Sequence, residues 1–364
     1  MGFDMNCIYQ LCGAAKASRD PNGQVNWMKL GMNLIKVAGP YVVSYIGEVS
    51  RPDPVDINQA FEDADNTDSF HPYEAPAYEQ GDVRALLVGI NYYGSSAELS
   101  GCVNDVRQEL ATFQKIKFPV AEMAILVDES DFPNTTAQPT RANIVKYMAW
   151  LVKGAKSGDV LFMHYSGHGS QTKSTDQYEE YDQVICPSDY ASAGCIVDND
   201  IFKILGENLP QGVRLTILFD CCHSGSMMDL PYNFVGGSGV NSSRTYHMQQ
   251  VRKNNFCPGD VLMISGCMDT QTSADVGNTA ALGNGTTGAG GAATQCLTYI
   301  LLNTKELSYT ETMVKTREML TKKKFEQVPQ LSASKPINLD SKFSLTQPFN
   351  VDSNMKRTLP MNLQ

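Results

Sequence analysis

Five stretches of nearly unbroken apolar sequence constrain this chain more than any other feature: 84–91 (RALLVGIN), 123–128 (MAILVD), 159–165 (DVLFMHY), 213–220 (VRLTILFD) and 260–266 (DVLMISG). A strand with one wet face alternates polar and apolar residues, whereas a strand covered on both faces has no need to. Between and after these runs, apolar residues recur at helical spacing near 102–117 and 141–154, more briefly near 200–208, and again at 292–303 and 309–323. Strands alternating with helices predict an α/β fold, with a mainly parallel central sheet flanked by helices on both faces. No repeat of fixed period interrupts the pattern.

With 364 residues, 42% of them hydrophobic, the chain has enough apolar surface to offset the entropy of ordering, which excludes disorder for most of it. That length allows two or three domains, or one large α/β domain with appended segments. The polar, proline-punctuated stretch 51–81 (RPDPVD, EDADNTD, HPYEAPAYEQGD) reads as an extended segment or linker. Before it, apolar spacing predicts an amphipathic helix over 24–38, ended by Gly39-Pro40. The division that follows is an N-terminal segment over 1–80, an α/β domain over 81–350 and a tail over 351–364. Residues 233–256 and 276–291, rich in Gly, Ser, Thr and Asn, read as long surface loops.

The balance of 29 Lys+Arg against 39 Asp+Glu, a net charge of −10, disfavours phosphate backbones and excludes nucleic acid as an expected partner. It points to cationic partners instead. Ten cysteines without a CxxC pair, behind an N-terminus with no basic region and apolar core, predict reduced thiols and a cytoplasmic location. The most apolar long stretch, 30–49, contains Lys36 and Pro40 and is not a membrane span.

Ligands of open α/β sheets collect beyond the carboxyl ends of the strands. There, the third apolar run finishes as HYSGHGS, with His164, Ser166, His168 and Gly169, and the fourth as FDCCHSGS, with Asp220, Cys221, Cys222 and His223. The first leads into NYYGSSAELSGCVND, with Cys102 and Asp105. A thiol, an imidazole and acids at neighbouring strand ends supply what a cysteine nucleophile and its base require. A single strand-end histidine is often structural, and paired cysteines are often simply buried. Two glycine-flanked polar clusters, each closing a buried strand, are harder to dismiss together.

The pairing of HYSGHGS with DCCHSGS resembles the metacaspases, caspase-like cysteine peptidases, and most of all their kinetoplastid type without a large prodomain. The likeness spans roughly 82–347 and includes GINYYGSSAELSGCVNDV, PTRANIVKYMAWL, YDQVICPSDY, TSADVGNTA and QVPQLSAS. A caspase histidine precedes its cysteine by about 50 residues, and the His168–Cys222 spacing agrees. The resemblance implies a caspase-like fold. It also implies Cys222 as nucleophile, His168 as general base and then acid, and the amides of Gly169 and Cys222 as the oxyanion hole. His164 and His223 are the rival bases.

The resemblance further implies a substrate pocket made by Asp105, Ser166 and Asp220 with Cys102 beside them. Two carboxylates there would accept Arg or Lys and reject Asp. Asp220 could instead cap the helix that follows it. Asp182 in YDQVICP, Asp198-Asn199-Asp200 in CIVDNDIF and Asp229 in SMMDLPY are hard oxygen donors of the kind Ca2+ takes. The family carries a calcium site at these places, which implies Asp182, Asp198, Asn199 and Asp229 as ligands. An acidic residue is more usual where Asn199 stands, so the expected calcium dependence is weaker than usual. The resemblance also suggests that the N-terminal segment crosses the active-site groove through Tyr41. The alternative is that this segment only packs.

The expected activity is calcium-dependent endopeptidase cleavage of protein or peptide substrates after Arg or Lys. Self-processing at Arg244, Arg252 or Lys253 is expected, and the state expected is a monomer. The reading from a different class is a catalytically silent scaffold or calcium-responsive regulator that kept the fold.

Overall fold

The computed structural model describes residues 48–175, 179–221, 226–236, 246–266, 291–304, 306–322 and 328–352. It describes 41–43, 274–276, 290 and 292–293 by their backbone alone. The helix expected over 24–38 lies outside these residues, as do Cys222, His223, Arg244 and the tail from 353 on. The chain divides after Val42 into two units, and the elements below belong to the second apart from the first strand, β1 (Tyr41–Val43), which straddles the division.

Residues 51–81, expected to be extended, contain helix α1 (Ile57–Asp63), continued by a 3-10 turn at Ala64–Asn66. Asp56 caps α1 by accepting the Gln59 amide at 3.0 Å, a contact worth about 1 kcal/mol. Ala60 and Ala64 bury themselves in the core. Two small apolar residues four apart carried the helix, and the surrounding Pro and Asp masked it.

The alternation then follows: β2 (Val83–Gly89), α2 (Cys102–Ile116), β3 (Glu122–Val127), α3 (Arg141–Val152) and β4 (Val160–Ser166). Next come β5 (Gly169–Lys173), β6 (Tyr181–Ile185), the short helix α4 (Tyr190–Ala193), β7 (Ile196–Val197) and α5 (Asp198–Phe202). After a π turn at Lys203–Glu207, the chain forms β8 (Arg214–Asp220), β9 (Tyr232–Val235), β10 (His247–Gln250) and β11 (Asp260–Ser265). It ends with β12 (Ala274–Val276), β13 (Gly290–Gly291), α6 (Ala292–Asn303), α7 (Tyr309–Lys322) and β14 (Gln330–Ala333).

Among the described residues the main sheet has eight strands in the order β10-β9-β14-β11-β8-β4-β2-β3. The five apolar runs are its parallel strands, and β14, β9 and β10 continue it antiparallel. The stretch 233–256 is therefore only partly loop. Its ends pair as a β9–β10 ribbon whose short alternating pattern was hidden by the Gly- and Ser-rich middle.

The two-residue alternation divides each buried strand between two cores. Leu86, Val88, Leu161, Met163, Leu215 and Ile217 face α3, whose Ile144, Met148 and Leu151 join the same cluster. Ala85, Leu87, Phe162, Leu218 and Ile264 face the other side, with Val106 and Phe113 of α2, Leu297 of α6 and Met313 of α7. Each such aliphatic side chain removed from water contributes about 1.5–3 kcal/mol. A small three-stranded sheet, β5-β6-β7, stands apart from the main one.

Candidate active site

Successive strands run from β2 to β3 in one direction and from β2 through β4 and β8 to β11 in the other. The order reverses between β2 and β4, the place at which open α/β sheets hold their ligands. Gly89, Ser166 and Asp220 lie side by side in register across β2, β4 and β8. The same alternation that places Phe162 and Leu218 toward α2 places Ser166 and Asp220 on that face, where α2 carries Asp105.

His168 sits just beyond β4 and is 3% exposed. Its Nε2 lies 2.7 Å from the Ala97 carbonyl oxygen, which can only accept, so the hydrogen of the neutral ring belongs on Nε2 and the lone pair on Nδ1. Its main chain is fixed as well. The His168 N–H donates to Tyr92 Oη at 2.8 Å, and Tyr92 donates onward to the Cys186 carbonyl at 2.5 Å. Tyr165 Oη donates to the His168 carbonyl at 2.9 Å, and the Tyr92 and His168 rings lie 4.7 Å apart. Gly167 lets these groups meet, since a Cβ there would fall 2.8 Å from Tyr165 Oη and 2.9 Å from Tyr92 Oη. Gly169 opens β5 opposite Ile185.

His164, one of the two rival bases, is fully buried on the α2 face with neither ring nitrogen hydrogen-bonded among the described residues. Burial lowers its pKa to about 3, so it stays neutral and apolar in behaviour. It is a core residue.

Asp105, Ser166 and Asp220 do come together. Ser166 Oγ donates to Asp105 Oδ2 at 2.7 Å. Burial, and then the neighbouring Asp220, push the Asp105 carboxyl well above the usual range. Cys102, at the start of α2, is buried, and its amide donates to Asn91 Oδ1 at 2.9 Å. Asp220 also accepts the Thr294 amide at 3.0 Å, so the described helix that it caps is α6. Glu109, one turn below Asp105 on α2, takes a 3.3 Å hydrogen bond from Thr298 of α6, and burial raises its pKa to about 7.

The oxygen donors expected to hold metal lie near the small sheet. Asp182 is on β6, Asp198 and Asn199 open α5, and Asp229 follows a turn with φ 46°. Asp198 accepts the amides of Gln183 and Asn199, each at 2.7 Å. Burial first, then Asp229, Asp182 and Glu179, raise its pKa well above the usual range, so these carboxylates are electrostatic neighbours. Two arginines already neutralise the group. Arg51 pairs with Asp182, and Arg252 bridges Glu179 and Asp229. Among the described residues no three acidic, His or Cys side chains gather at metal-ligating separation. The donor chemistry nevertheless suits Ca2+, and Asp182 Oδ1 is buried with no hydrogen-bond partner among the described residues. Asp200 belongs elsewhere: it accepts the Val55 amide at 3.0 Å and pairs with Lys203.

Cys222 and the side chain of Tyr41 lie outside the described residues. Sequence reading missed the Ala97 carbonyl, Tyr92, Glu179 and the α6 donors. Only Tyr92 carried a signal, its place in NYYG next to the strand end. The others are main-chain atoms or polar residues distant in sequence.

Comparison with known proteins gives a consistent picture. The family profile described as "Metacaspase, peptidase C14 domain" matches residues 83–231. The chain is 57% identical over 340 residues to Metacaspase-3 of Trypanosoma cruzi (strain CL Brener), covering 93% of this chain and 95% of that one. It is 54% identical over 341 residues to Metacaspase-3 of Trypanosoma brucei brucei, covering 93% and 96%. Among solved structures, protein GSU0716 from Geobacter sulfurreducens aligns with a TM-score of 0.50 at 20% identity, covering 74% of this chain and all of that one, a likeness of fold.

Proposed function

The chain belongs to the metacaspase family of cysteine endopeptidases, and on that premise we propose that it cleaves after Arg or Lys through a Cys222–His168 dyad under calcium control. The observation that carries this reading is a His168 with its ring hydrogen fixed on Nε2, on the same side of the sheet as two buried carboxylates, Asp220 at the end of β8 and Asp105 in the first turn of α2. His168 Nδ1 takes the Cys222 thiol proton, and the thiolate attacks the carbonyl carbon of the basic residue. The amides of Gly169 and Cys222 hold the resulting oxyanion; one such donor contributes on the order of 10²–10³ in rate. The imidazolium then protonates the departing amine, and a water activated by the same nitrogen releases the acyl group.

Asp105 and Asp220 receive the cationic side chain, with Ser166 and Cys102 completing the walls. A carboxylate pair favours a guanidinium or ammonium and repels an acidic residue. Calcium, when bound, would supply positive charge for Asp182, Asp198, Asn199 and Asp229. These residues would then tie β6 and α5 to the segment that follows Cys222. Self-processing at Arg252 or Lys253 fits the same specificity, and Tyr41 is the residue by which the N-terminal segment would occupy the groove. The chain acts as a monomer in the cytoplasm. No described helix is long and apolar enough to cross a membrane.

The test is release of a reporter from an Arg-terminated peptide, with and without calcium, by wild type and Cys222→Ala. Turnover by wild type alone supports the reading. An active Cys222→Ala protein, or a wild type that prefers an Asp-terminated peptide, overturns it.

A further inference from the structure

The first turn of α6 reaches both pocket carboxylates. The Gly291 amide donates to the two oxygens of Asp105 at 3.0 and 2.9 Å, and the Thr294 amide donates to Asp220 Oδ2. Gln295 Nε2 donates to Asp105 Oδ1 at 2.7 Å, and its side chain is fully buried. Gly291 leaves no slack in this arrangement, because a Cβ there would overlap the Asp220 carboxylate. Two facing carboxylates repel each other and turn apart unless donors fix them. Ser166 holds one oxygen of Asp105 and Gln295 the other, so the plane of that carboxylate is set from both edges.

A guanidinium is a rigid planar fork that binds well only to carboxylate oxygens presented in matching directions. An ammonium is a compact charge with rotatable donors and tolerates a rotated carboxylate. We propose that Gln295 is a positioning residue that sets the preference of this pocket for arginine over lysine, by holding the Asp105 carboxylate in the orientation a guanidinium needs. This rests on the reading that Asp105 and Asp220 receive the basic side chain. Gln295 touches no reacting atom, so its removal acts on substrate selection and leaves the dyad chemistry in place.

The experiment compares wild type with Gln295→Leu, which keeps the size and loses the donor, on two peptides that differ only in Arg or Lys before the scissile bond. Both peptides are offered together, so that the ratio of kcat/KM values is independent of how much of each preparation is folded. The expected result is an Arg:Lys ratio lowered about tenfold, with KM for the Arg peptide raised and kcat within about twofold. An unchanged ratio, or an equal loss on both peptides, overturns the proposal. Gln295→Asn keeps the amide but draws it back by one methylene. It is expected to lower the ratio too, and serves if the leucine variant gives no folded protein. A wild type that cleaves neither peptide refutes the basic-pocket reading itself, which is distinct from a wild type that cleaves both and is unaffected by Gln295.

Discussion

The imidazole Nε2 of His168 lies 2.7 Å from the carbonyl oxygen of Ala97, and this contact puts the hydrogen of the neutral ring on Nε2 and the lone pair on Nδ1. The Ala97 carbonyl belongs to the loop between β2 and α2, so the ring is oriented by the main chain that follows a neighbouring strand. The support continues through Tyr92, whose hydroxyl accepts the His168 amide and donates to the Cys186 carbonyl.

Tyr92→Phe leaves the ring in place and removes that hydroxyl, taking from the buried His168 N–H the acceptor it uses, at a cost of about 1–3 kcal/mol, while the Cys186 carbonyl keeps Tyr165 as a donor. The expected outcome is a kcat lowered about tenfold with KM within about twofold, measured on an Arg-terminated peptide. His168→Ala should lose on the order of 10²–10⁴. A Tyr92→Phe enzyme with wild-type kcat would show that His168 needs no such support.

Asp220→Asn should reduce kcat/KM for an Arg-terminated peptide by roughly 10²–10³, since removing one partner of a buried charge pair costs about 2–5 kcal/mol. The loss should sit in KM. A peptide with neutral citrulline in place of arginine, cleaved poorly by wild type, should be affected far less. Equal losses on both peptides would mean that Asp220 is chiefly structural.

Arg252 bridges Glu179 and Asp229, and those two carboxylates raise its own pKa in spite of burial. An arginine tethered among the donors competes with any divalent cation for them. Arg252→Gln should therefore tighten calcium binding, by about tenfold for each ~1.4 kcal/mol of competition removed. Calorimetry in a Cys222→Ala background measures this without self-cleavage. Unchanged or weaker binding would show that Arg252 does not oppose the metal.

Glu109 is buried between α2 and α6, and its pKa stands at about 7 against 4.5 for an exposed glutamate. Between those values the folded chain binds more protons than the unfolded one. Its contribution to stability is complete below pH 4.5 and is lost as pH rises to about 7, a total of about 3 kcal/mol. Glu109→Gln removes the titration. The variant should melt several degrees above wild type at pH 8, with a flatter dependence of Tm on pH between 5 and 8. Parallel curves for the two proteins would refute the assignment.

The five buried strands, the helices between them and the residues at the strand ends were all legible, because apolar runs and glycine-flanked polar clusters are local signals. The antiparallel edge was not. In β9 and β10 only four residues each alternate, and in β5 to β7 the pairing comes from a hairpin with mixed polarity. Helix α1 hid inside a stretch whose composition reads as linker.

The same division runs through the site. The amino-acid sequence by itself determined the chemistry that could be present: a thiol, an imidazole, two acids near the strand ends and a set of hard oxygen donors. Tertiary structure alone decided how those groups behave. Asp105 meets Gln295 across 190 positions, His168 meets a main-chain oxygen, and Arg252, just past β10, meets Asp229, just before β9. Such contacts join residues distant in sequence. They fix tautomer, carboxylate orientation and charge balance through burial and direction, and no local pattern encodes either.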